Sequence, residues 1–291
     1  MNILLIINYN SIDDIEIFFK YNIEAITLYD KIIIVDNNSN ELSKQKLLET
    51  TKLQKKIEIV WNSLNSGYSG GLNCGINYIN ENYNYESISF SNFDVILSKN
   101  TVKCLIERID KNNIHIAAPR MINYKGVILD SAWKKNTVFR SIIKNSLILS
   151  KLTRKANFYS KFSPETDVYA VQGSFFISTR KAIDFIYPID ERLFLYSVED
   201  YISHKIHSNN MRVCIFGDLD YVHYHDYSTR KIKSEMYHFK LIFKDKRTFL
   251  KHIYKFNKLE MSLVTLSYWL FYIERLLVLI IKRKMLVKSH D

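Results

Sequence analysis

The sequence predicts an α/β protein with a Rossmann-like, doubly wound and mostly parallel sheet and a helical C-terminal appendage. Apolar, β-branched runs alternate with segments of helical periodicity over the first 118 residues, as in a succession of βαβ units. Four of the seven glycines lie between residues 67 and 75, after the third apolar run, and most of the net charge lies in the tail. We therefore expect one large domain, residues 1–229, followed by a basic helical region, residues 230–291.

The individual elements follow from the hydrophobic periodicity. Strands are predicted at residues 3–8, 31–36, 57–61, 87–92 and 114–118, with helices near 13–28, 42–53, 70–78 and 101–109 between them. The later patterns predict a strand at 169–178, a helix at 197–208, short strands at 211–216 and 221–224, and then long helices. Because parallel strands need crossover connections, the ligand is expected at the carboxyl ends of a doubly wound sheet.

The glycine-rich segment is expected to meet a ligand. Glycine serves where φ is positive or where a ligand approaches the backbone closely, and the residues that follow resemble the start of a helix, whose N-terminus favours anions. A phosphate-bearing ligand is therefore predicted. A nicotinamide cofactor is disfavoured, because its GxGxxG motif follows the first strand, whereas here the first strand ends in NYN (8–10) and the glycines follow the third.

Polar side chains that suit nucleotide and metal binding follow several predicted strands. Asp36 could accept hydrogen bonds from a ribose hydroxyl or a base amide, although such an aspartate more often caps a turn. Asn92 and Asp94 lie at i and i+2, where both would face one ligand. The Asp94 carboxylate could hold Mg²⁺ or Mn²⁺ if another ligand joined it. His223 and His225 could complete that site, whereas such a histidine pair is usually structural.

Two adjacent acids, Glu199 and Asp200, occupy the first turn of a predicted helix, after the aromatic residues Phe194 and Tyr196. Acids in a first turn complement the helix dipole, which is the simpler interpretation. Two acids beside an aromatic wall also provide what a general base near an apolar surface requires. Both interpretations remain open from the residues alone.

The positive charge is concentrated in the tail. Residues 230–291 contain 15 Lys or Arg and 5 Asp or Glu, a net of +10 of the chain's +11. Residues 261–288 are apolar on almost all sides and end in a basic run, but Glu274 and Arg275 leave no uncharged run longer than 13 residues, short of the ~20 that a spanning helix needs. The prediction is a helix that lies in the interface of an anionic membrane.

A buried amphipathic helix that closes the core, or one that forms a homodimer interface, is the alternative for this tail. A second basic stretch, residues 134–161, has eight Lys or Arg and no acid, and is interpreted as a solvated loop. The three cysteines form no CxxC pair, which disfavours a disulfide framework or a zinc site and fits a reducing cytosol. No RNP or C₂H₂ pattern accompanies the basic charge, so no nucleic-acid partner is expected.

Seven ordered motifs carry a resemblance to a known family. They are NYN (8–10), IIIVDNNS (32–39), NSGYSGGLNCGI (65–76), SNFD (91–94), GSFFISTR (173–180), IDERLFLYSVED (189–200) and HYHDYS (223–228). Their order and approximate spacing resemble family 2 glycosyltransferases of the GT-A fold, especially the bacterial rhamnosyl- and galactofuranosyltransferase-like branch. The resemblance covers about residues 2–229.

The resemblance implies a cytosolic enzyme that takes a sugar from a nucleoside diphosphate sugar, usually with Mg²⁺ or Mn²⁺. Such an enzyme passes the sugar with inversion to an acceptor hydroxyl in cell-surface polysaccharide assembly, for example of O-antigen or capsule. The acceptor would be a glycan or a lipid-linked glycan. Together with the basic tail, this implies a peripheral position at the inner face of the cell membrane.

The resemblance also implies roles for individual residues. Those that would line the nucleotide are Asn8, Asn10, Asp36, Asn65, Gly70, Gly71 and Asn92. Those that would meet the metal or the leaving phosphate are Asp94, His223 and His225. Asp200, with Glu199, would supply the base.

Two departures from the family pattern bear on function. Asn92 stands where the metal motif often has a first acid, and Ile202 stands where an acid often follows the Glu-Asp pair. A catalytically silent nucleotide-sugar-binding or scaffold protein is the alternative to an enzyme. Such a protein would retain Asp36 and could lose Asp94 or Asp200, and both of the latter are present.

Overall fold

A computed structural model of the protein describes residues 1–109, 111–224 and 232–288. Within these residues the strands are β1 (Asn2–Asn8), β2 (Lys31–Asp36), β3 (Ile57–Trp61), β4 (Ser87–Ser91), β5 (Val95–Leu97), β6 (Ile114–Ile122), β7 (Ala132–Trp133), β8 (Thr166–Asp167), β9 (Ala170–Val171), β10 (Phe175–Thr179) and β11 (Arg212–His223). The main sheet has the order β3-β2-β1-β4-β10-β6-β11-β5, and β8 pairs with β11 beside β5. The strands β7 and β9 pair separately.

The predicted α/β sheet is confirmed. The pairs β1–β2, β2–β3, β1–β4 and β6–β11 are parallel, and β10 lies antiparallel between β4 and β6. The strand β2 has the predicted bounds, and its central residues are buried because helices cover both faces of the sheet. The carboxyl ends of β1, β2 and β4 therefore meet along one edge, as the sequence predicts.

The helices are α1 (Ile12–Tyr21), α2 (Ile23–Ile26), α3 (Glu41–Thr51), α4 (Gly67–Asn82), α5 (Lys99–Arg108), α6 (Val138–Ile143), α7 (Leu147–Leu152), α8 (Arg154–Asn157), α9 (Arg180–Ile186), α10 (Val198–Ser208), α11 (Ile232–His252) and α12 (Lys258–Lys288). One buried cluster joins the sheet to α4, α9, α10, α11 and α12, and a second joins the other face to α1, α2, α3 and α5. Asn40 caps α3 by accepting a hydrogen bond from the Ser43 N–H, and Ser98 caps α5 in the same way.

In the structure, two of the predicted elements are divided and two others are merged into one. The helix predicted at 13–28 is interrupted at Asn22, whose side-chain amide donates to the carbonyl oxygens of Phe18 and Val95. The strand predicted at 169–178 becomes β9 and β10, because the chain leaves one sheet for the other near Gly173. The two strands predicted at 211–224 form the single strand β11, with a register shift between Phe216 and Asp220.

The C-terminal helices pack against the sheet domain. Phe249 in α11 and Val264 in α12 have no exposed surface and belong to the same buried cluster as the sheet. The predicted division at residues 229 and 230 falls in the part of the chain that the structure does not describe, so it stays a prediction. The residues Lys282, Arg283 and Lys284 continue α12 at its C-terminal end.

Within the described residues, one stretch, Lys258–Ile281, is long and apolar enough to cross a membrane, and 22% of its most apolar window is buried. The sequence argument was that Glu274 and Arg275 interrupt this helix too much for it to span a membrane. By the criteria of length and composition alone, that argument is wrong. The two charges are directed inward: the Glu274 carboxylate accepts a hydrogen bond from the Ile148 N–H at 2.9 Å, and Arg275 Nε donates to the Asn145 carbonyl oxygen at 3.1 Å. The core helix of a soluble protein can pass the same test.

Candidate active site

Three cavities lie at the carboxyl edge of the sheet. The strand-end cavity, about 500 Å³, is lined by residues that follow β1, β2 and β4, by Asn65 and Gly67, and by α11. The acid cavity, about 610 Å³, contains Glu199 and Asp200. The bridging cavity, about 550 Å³, contains His223 and shares Asp130, Arg154, Phe158 and Gln172 with the acid cavity.

Asn8 and Asp36 lie beneath the strand-end cavity and bind each other. Both side chains are fully buried, and Asn8 Nδ2 donates to Asp36 Oδ2 at 2.7 Å. Asp36 Oδ1 accepts from the Ser39 N–H at 2.9 Å, which closes the turn after β2. The exposed Asn10 has a φ of 55° and accepts from the Asn40 N–H through Oδ1. In the structure Asp36 thus caps the turn after β2, the role that an aspartate at such a position more often has.

The glycine segment is the first part of α4, which begins at Gly67 and not at residue 70. Gly67 has a φ of +74°, and a side chain there would collide with the Phe194 carbonyl oxygen. A Cβ at Gly71 would lie 2.9 Å from Ile7 Cγ2, and one at Gly70 would collide with Ser66. Close packing thus accounts for glycine at both positions, and the ligand contact expected of Gly70 and Gly71 stays a prediction.

Asn65 and Asn92 both line the strand-end cavity. Asn65 Oδ1 accepts from Asn37 Nδ2 and from the Gly67 N–H, each at 3.0 Å, so it fixes the entry to α4. Asn92 follows β4 in a turn, and its N–H donates to the Ser174 carbonyl oxygen at 2.9 Å. Asp94 lines the same cavity as Asn92. Asn92 and Asp94 were expected to face one ligand from an extended strand. In the structure β4 ends at Ser91, and the turn that follows places both residues in the wall of this cavity.

Asp94 and His223 form an acid and imidazole pair at this edge. Asp94 Oδ2 lies 3.0 Å from His223 Nε2, and both side chains are largely buried. The pairing of β5 with β11 brings them together, because it places Val95 opposite His223. His225, the other predicted ligand, lies outside the described residues. Within the part of the chain that is described, no group of three or more His, Cys, Asp or Glu side chains converges.

Asp200 is oriented by two donors in the acid cavity. Trp133 Nε1 donates to Oδ1 at 3.0 Å, and Asn136 Nδ2 donates to Oδ2 at 2.9 Å. The carboxylate is 8% exposed, and each of its oxygens retains a lone pair that can accept another proton donor. Glu199, the neighbouring acid, lies against Gly173, where a Cβ would collide with its carboxylate. Burial raises the pKa of Glu199 to about 7.

The loop before these acids is fixed by α11. Asp245 Oδ2 accepts hydrogen bonds from the N–H groups of Leu195 and Tyr196, each at 2.8 Å, and the Asp245 side chain has no exposed surface. Ser197 then takes a left-handed conformation, with a φ of 62°, and α10 begins at the next residue. The aromatic residues Phe194 and Tyr196 line different cavities, the former the strand-end cavity and the latter the acid cavity.

Sequence reasoning missed several residues that shape the site. Trp133, Asn136 and Asp245 orient the acids and their loop, and no local motif singles out Trp133 or Asn136. The interpretation of residues 134–161 as a solvated loop is wrong, because this stretch contains α6, α7 and α8 and its Lys144 lines the acid cavity. An acid within the basic run KDKR was the available signal for Asp245.

Residues 3–184 match the family described as Glycosyl transferase family 2. A stretch of 140 residues is 30% identical to the low-salt glycan biosynthesis hexosyltransferase Agl10 of Haloferax volcanii. That match covers 48% of this chain and 43% of the relative, so the chain spans less than half the length of the curated protein it matches.

Three solved structures resemble the whole fold. The crystal structure of GalNAc-T7 with UDP, GalNAc and Mn²⁺ superposes with a TM-score of 0.61 at 15% identity, over 88% of this chain and 49% of that one. The mannosyltransferase PcManGT from Pyrobaculum calidifontis, in complex with GDP-Man and Mn²⁺, gives 0.57 at 10% identity, over 95% and 74%. S. aureus TarS 1–349 gives 0.53 at 14% identity, over 94% and 80%. These likenesses confirm the predicted GT-A fold.

Proposed function

Because the chain belongs to glycosyl transferase family 2, we propose that it is an inverting enzyme that moves a sugar from a nucleoside diphosphate sugar to an acceptor hydroxyl. One observation carries the proposal: the Asp94 and His223 pair borders a cavity that adjoins the cavity of Asp200. The leaving diphosphate would lie at the pair, and the attacking hydroxyl would lie at Asp200. The pathway would be bacterial cell-surface polysaccharide assembly, in the rhamnosyl- or galactofuranosyltransferase-like branch.

The donor nucleoside is proposed to bind in the strand-end cavity. Tyr9 is 50% exposed in its wall, and Asn65 and Asn92 offer amide groups to a base or a ribose. Asn8 and Asp36 support this wall from below through their mutual hydrogen bond. The related folds of GalNAc-T7 and PcManGT, which hold UDP and GDP-Man, support a nucleotide ligand for this cavity.

Mg²⁺ or Mn²⁺ is the proposed cofactor, held by Asp94 and His223. A carboxylate oxygen and an imidazole nitrogen form a donor set that suits Mn²⁺, and two of the structurally similar proteins hold Mn²⁺. A divalent cation here would neutralise charge on the leaving diphosphate. Diphosphate oxygens would supply further ligands, since two side chains alone make a weak site.

Asp200 is the proposed general base. Its carboxylate takes the proton of the acceptor hydroxyl as that oxygen bonds to the anomeric carbon. The bond from the anomeric carbon to the diphosphate oxygen breaks on the opposite face, so the configuration inverts and the nucleoside diphosphate leaves. Trp133 and Asn136 keep the carboxylate in position for this proton transfer. Glu199 supports the base from the side of Gly173.

A peripheral position at the inner face of the cell membrane is proposed for α12. Five of its apolar side chains are each more than 40% exposed at spacings of three or four residues: Leu263, Leu266, Leu270, Ile273 and Leu277. This spacing places them on one side of the helix, away from the buried Val264 and Tyr268. An amphipathic helix of this kind can lie in the membrane interface while the domain stays outside.

The test of the donor assignment is a panel of nucleotide sugars, measured by thermal stabilisation with Mn²⁺ and with chelator. A ligand that binds the folded state raises the melting temperature by mass action. We expect one nucleotide sugar to stabilise the protein more than the others, and transfer to an acceptor to follow with that donor. Stabilisation without any transfer or hydrolysis would instead identify a silent nucleotide-sugar-binding protein, and a panel without any stabilising member would refute both.

A further inference from the structure

Three cationic side chains converge in the wall of the acid cavity. Lys144 follows α6, Lys246 lies in α11 and Arg275 lies in α12, and all three line the same space as Asp200. Asn145 joins them: its side-chain oxygen lies 3.5 Å from Lys246 Nζ, and its carbonyl oxygen accepts from Arg275 Nε at 3.1 Å. The cluster is therefore assembled from three separate parts of the chain.

These cations are held by neutral oxygens. Lys246, 7% exposed, donates to the Ser141 carbonyl oxygen at 2.8 Å, and Lys144 donates to Asn136 Oδ1 at 3.0 Å. Among the described residues, no carboxylate comes within 4 Å of any of the three charged groups. Burial lowers the pKa of Lys246 to about 7, with Lys144 as the next contributor. Carboxylates attract these cations only from a longer distance, Asp200 for the two lysines and Glu274 and Glu235 for Arg275. Burying positive charge is costly, and an anion bound in the cavity would offset part of that cost.

An adjoining part of the cavity wall is apolar. Phe239, Ile242 and Phe243 line it, and the Arg275 guanidinium lies 4.1 Å from the centroid of the Phe239 ring. A ligand that fits both parts carries an anionic group next to an apolar segment. The same cavity contains the Asp200 carboxylate, whose own hydrogen bonds go to Trp133 and Asn136 and not to the cations.

We propose that Lys144, Lys246 and Arg275 bind a phosphate or diphosphate group of the acceptor, next to an apolar chain that lies on Phe239 and Phe243. The assignment of this ligand as the acceptor rests on the proposed glycosyl transfer, because it uses Asp200 as the base for the attached sugar. The cluster determines which acceptor is used: a neutral glycan lacks the group that the three cations recognise. The donor diphosphate has its own place at Asp94 and His223, in the neighbouring cavities.

The probe is farnesyl diphosphate, compared with farnesol, both below their micelle concentrations and with full-length protein. EDTA is present throughout, so that metal-dependent nucleotide binding is silent. By calorimetry, we expect the wild type to bind the diphosphate at least tenfold more tightly than the alcohol. Lys246→Met should remove most of that preference, whereas Lys251→Met, which removes an exposed charge at the end of α11, should retain it. Arg275→Gln provides a second variant in case Lys246→Met does not fold.

Equal affinity for farnesyl diphosphate and farnesol in the wild type would overturn the proposal, as would an unchanged preference in the folded Lys246→Met and Arg275→Gln variants. Displacement of farnesyl diphosphate by UDP, GDP and dTDP in EDTA would also overturn it, because the anion would then occupy the donor site. The nucleotide-sugar panel described above tests the donor assignment independently of the anion site. If no nucleotide sugar binds while the preference for the diphosphate persists, the donor assignment fails and the anion site stands.

Discussion

Asp200→Asn tests the proposed base directly, because asparagine has nearly the same shape but cannot accept the proton. General base catalysis contributes about 10²–10⁴ in rate, or about 3–5 kcal/mol of barrier. The amide also presents an NH₂ group to either Trp133 Nε1 or Asn136 Nδ2, which are both donors at about 3 Å. One of these hydrogen bonds is therefore lost, at a cost to folding of about 1–3 kcal/mol.

The assay separates these two effects. Donor binding and the melting temperature are measured for Asp200→Asn beside Asp184→Asn, a control that changes an exposed acid in α9. Transfer is then measured at saturating donor and acceptor. We expect Asp200→Asn to fold, to bind donor as the wild type does, and to lose transfer by at least a hundredfold, while Asp184→Asn keeps it. Turnover close to that of the wild type would remove Asp200 from the mechanism.

Three further predictions concern the metal, the second acid and the tail. Asp94→Ala should abolish the tightening of nucleoside diphosphate binding by Mn²⁺, with a smaller loss in His223→Ala; equal wild-type affinities with Mn²⁺ and chelator would refute the metal site. Burial raises the pKa of Glu199 to about 7, so the wild type should lose up to about 3 kcal/mol of stability as the pH rises from about 4.5 through 7 and this carboxyl ionises. Glu199→Gln has no such proton to lose and should become more stable than the wild type over this range. An equal difference in melting temperature between the two proteins at pH 5 and at pH 8 would contradict this. Replacing Leu266, Leu270 and Ile273 with serine should release the protein from anionic vesicles in flotation; a wild type that stays soluble at low and high salt would indicate a dimer or core role instead.

The tail is tested by surface substitutions and not by deletion, for a structural reason. Val264 and Tyr268 in α12 are buried against the core, so removing residues 261–291 would also unfold part of the domain. Leu266, Leu270 and Ile273 are at least 60% exposed, and serine at these positions leaves the packed side of the helix unchanged. Ionic strength should weaken only the charged part of the attachment.

The strands could be predicted because their signal is local. The run IIIV in β2 is buried on both faces, and this requirement alone produces a recognisable apolar stretch bounded by Lys31 and Asp36. The break at Asn22 could not be predicted in this way, since its side chain bonds to Val95, which is remote in sequence. Element type was therefore predictable from periodicity, whereas interruptions depended on contacts that form only after folding.

The site was predictable to the extent that its residues follow strands or begin helices. Asp94 and His223 were placed together by their motifs, and the pairing of β5 with β11 brings them to 3.0 Å. The cations of the acid cavity were not predictable, because Lys144 and Lys246 lie in basic stretches where most lysines face solvent. Only the packing of α12 on both α6 and α11 brings these particular side chains into one cavity wall.

The Asp245 carboxylate joins the C-terminal region to the proposed active site. It accepts the N–H groups of Leu195 and Tyr196, the last residues before the turn that leads into Glu199 and Asp200. A chain shortened to end before α11 would keep the strand ends, the glycine-bearing helix and the acidic turn, yet that turn would lose its anchor. A surface that binds α12 would therefore be connected, through α11, to the side of the proposed active site where the acceptor would bind.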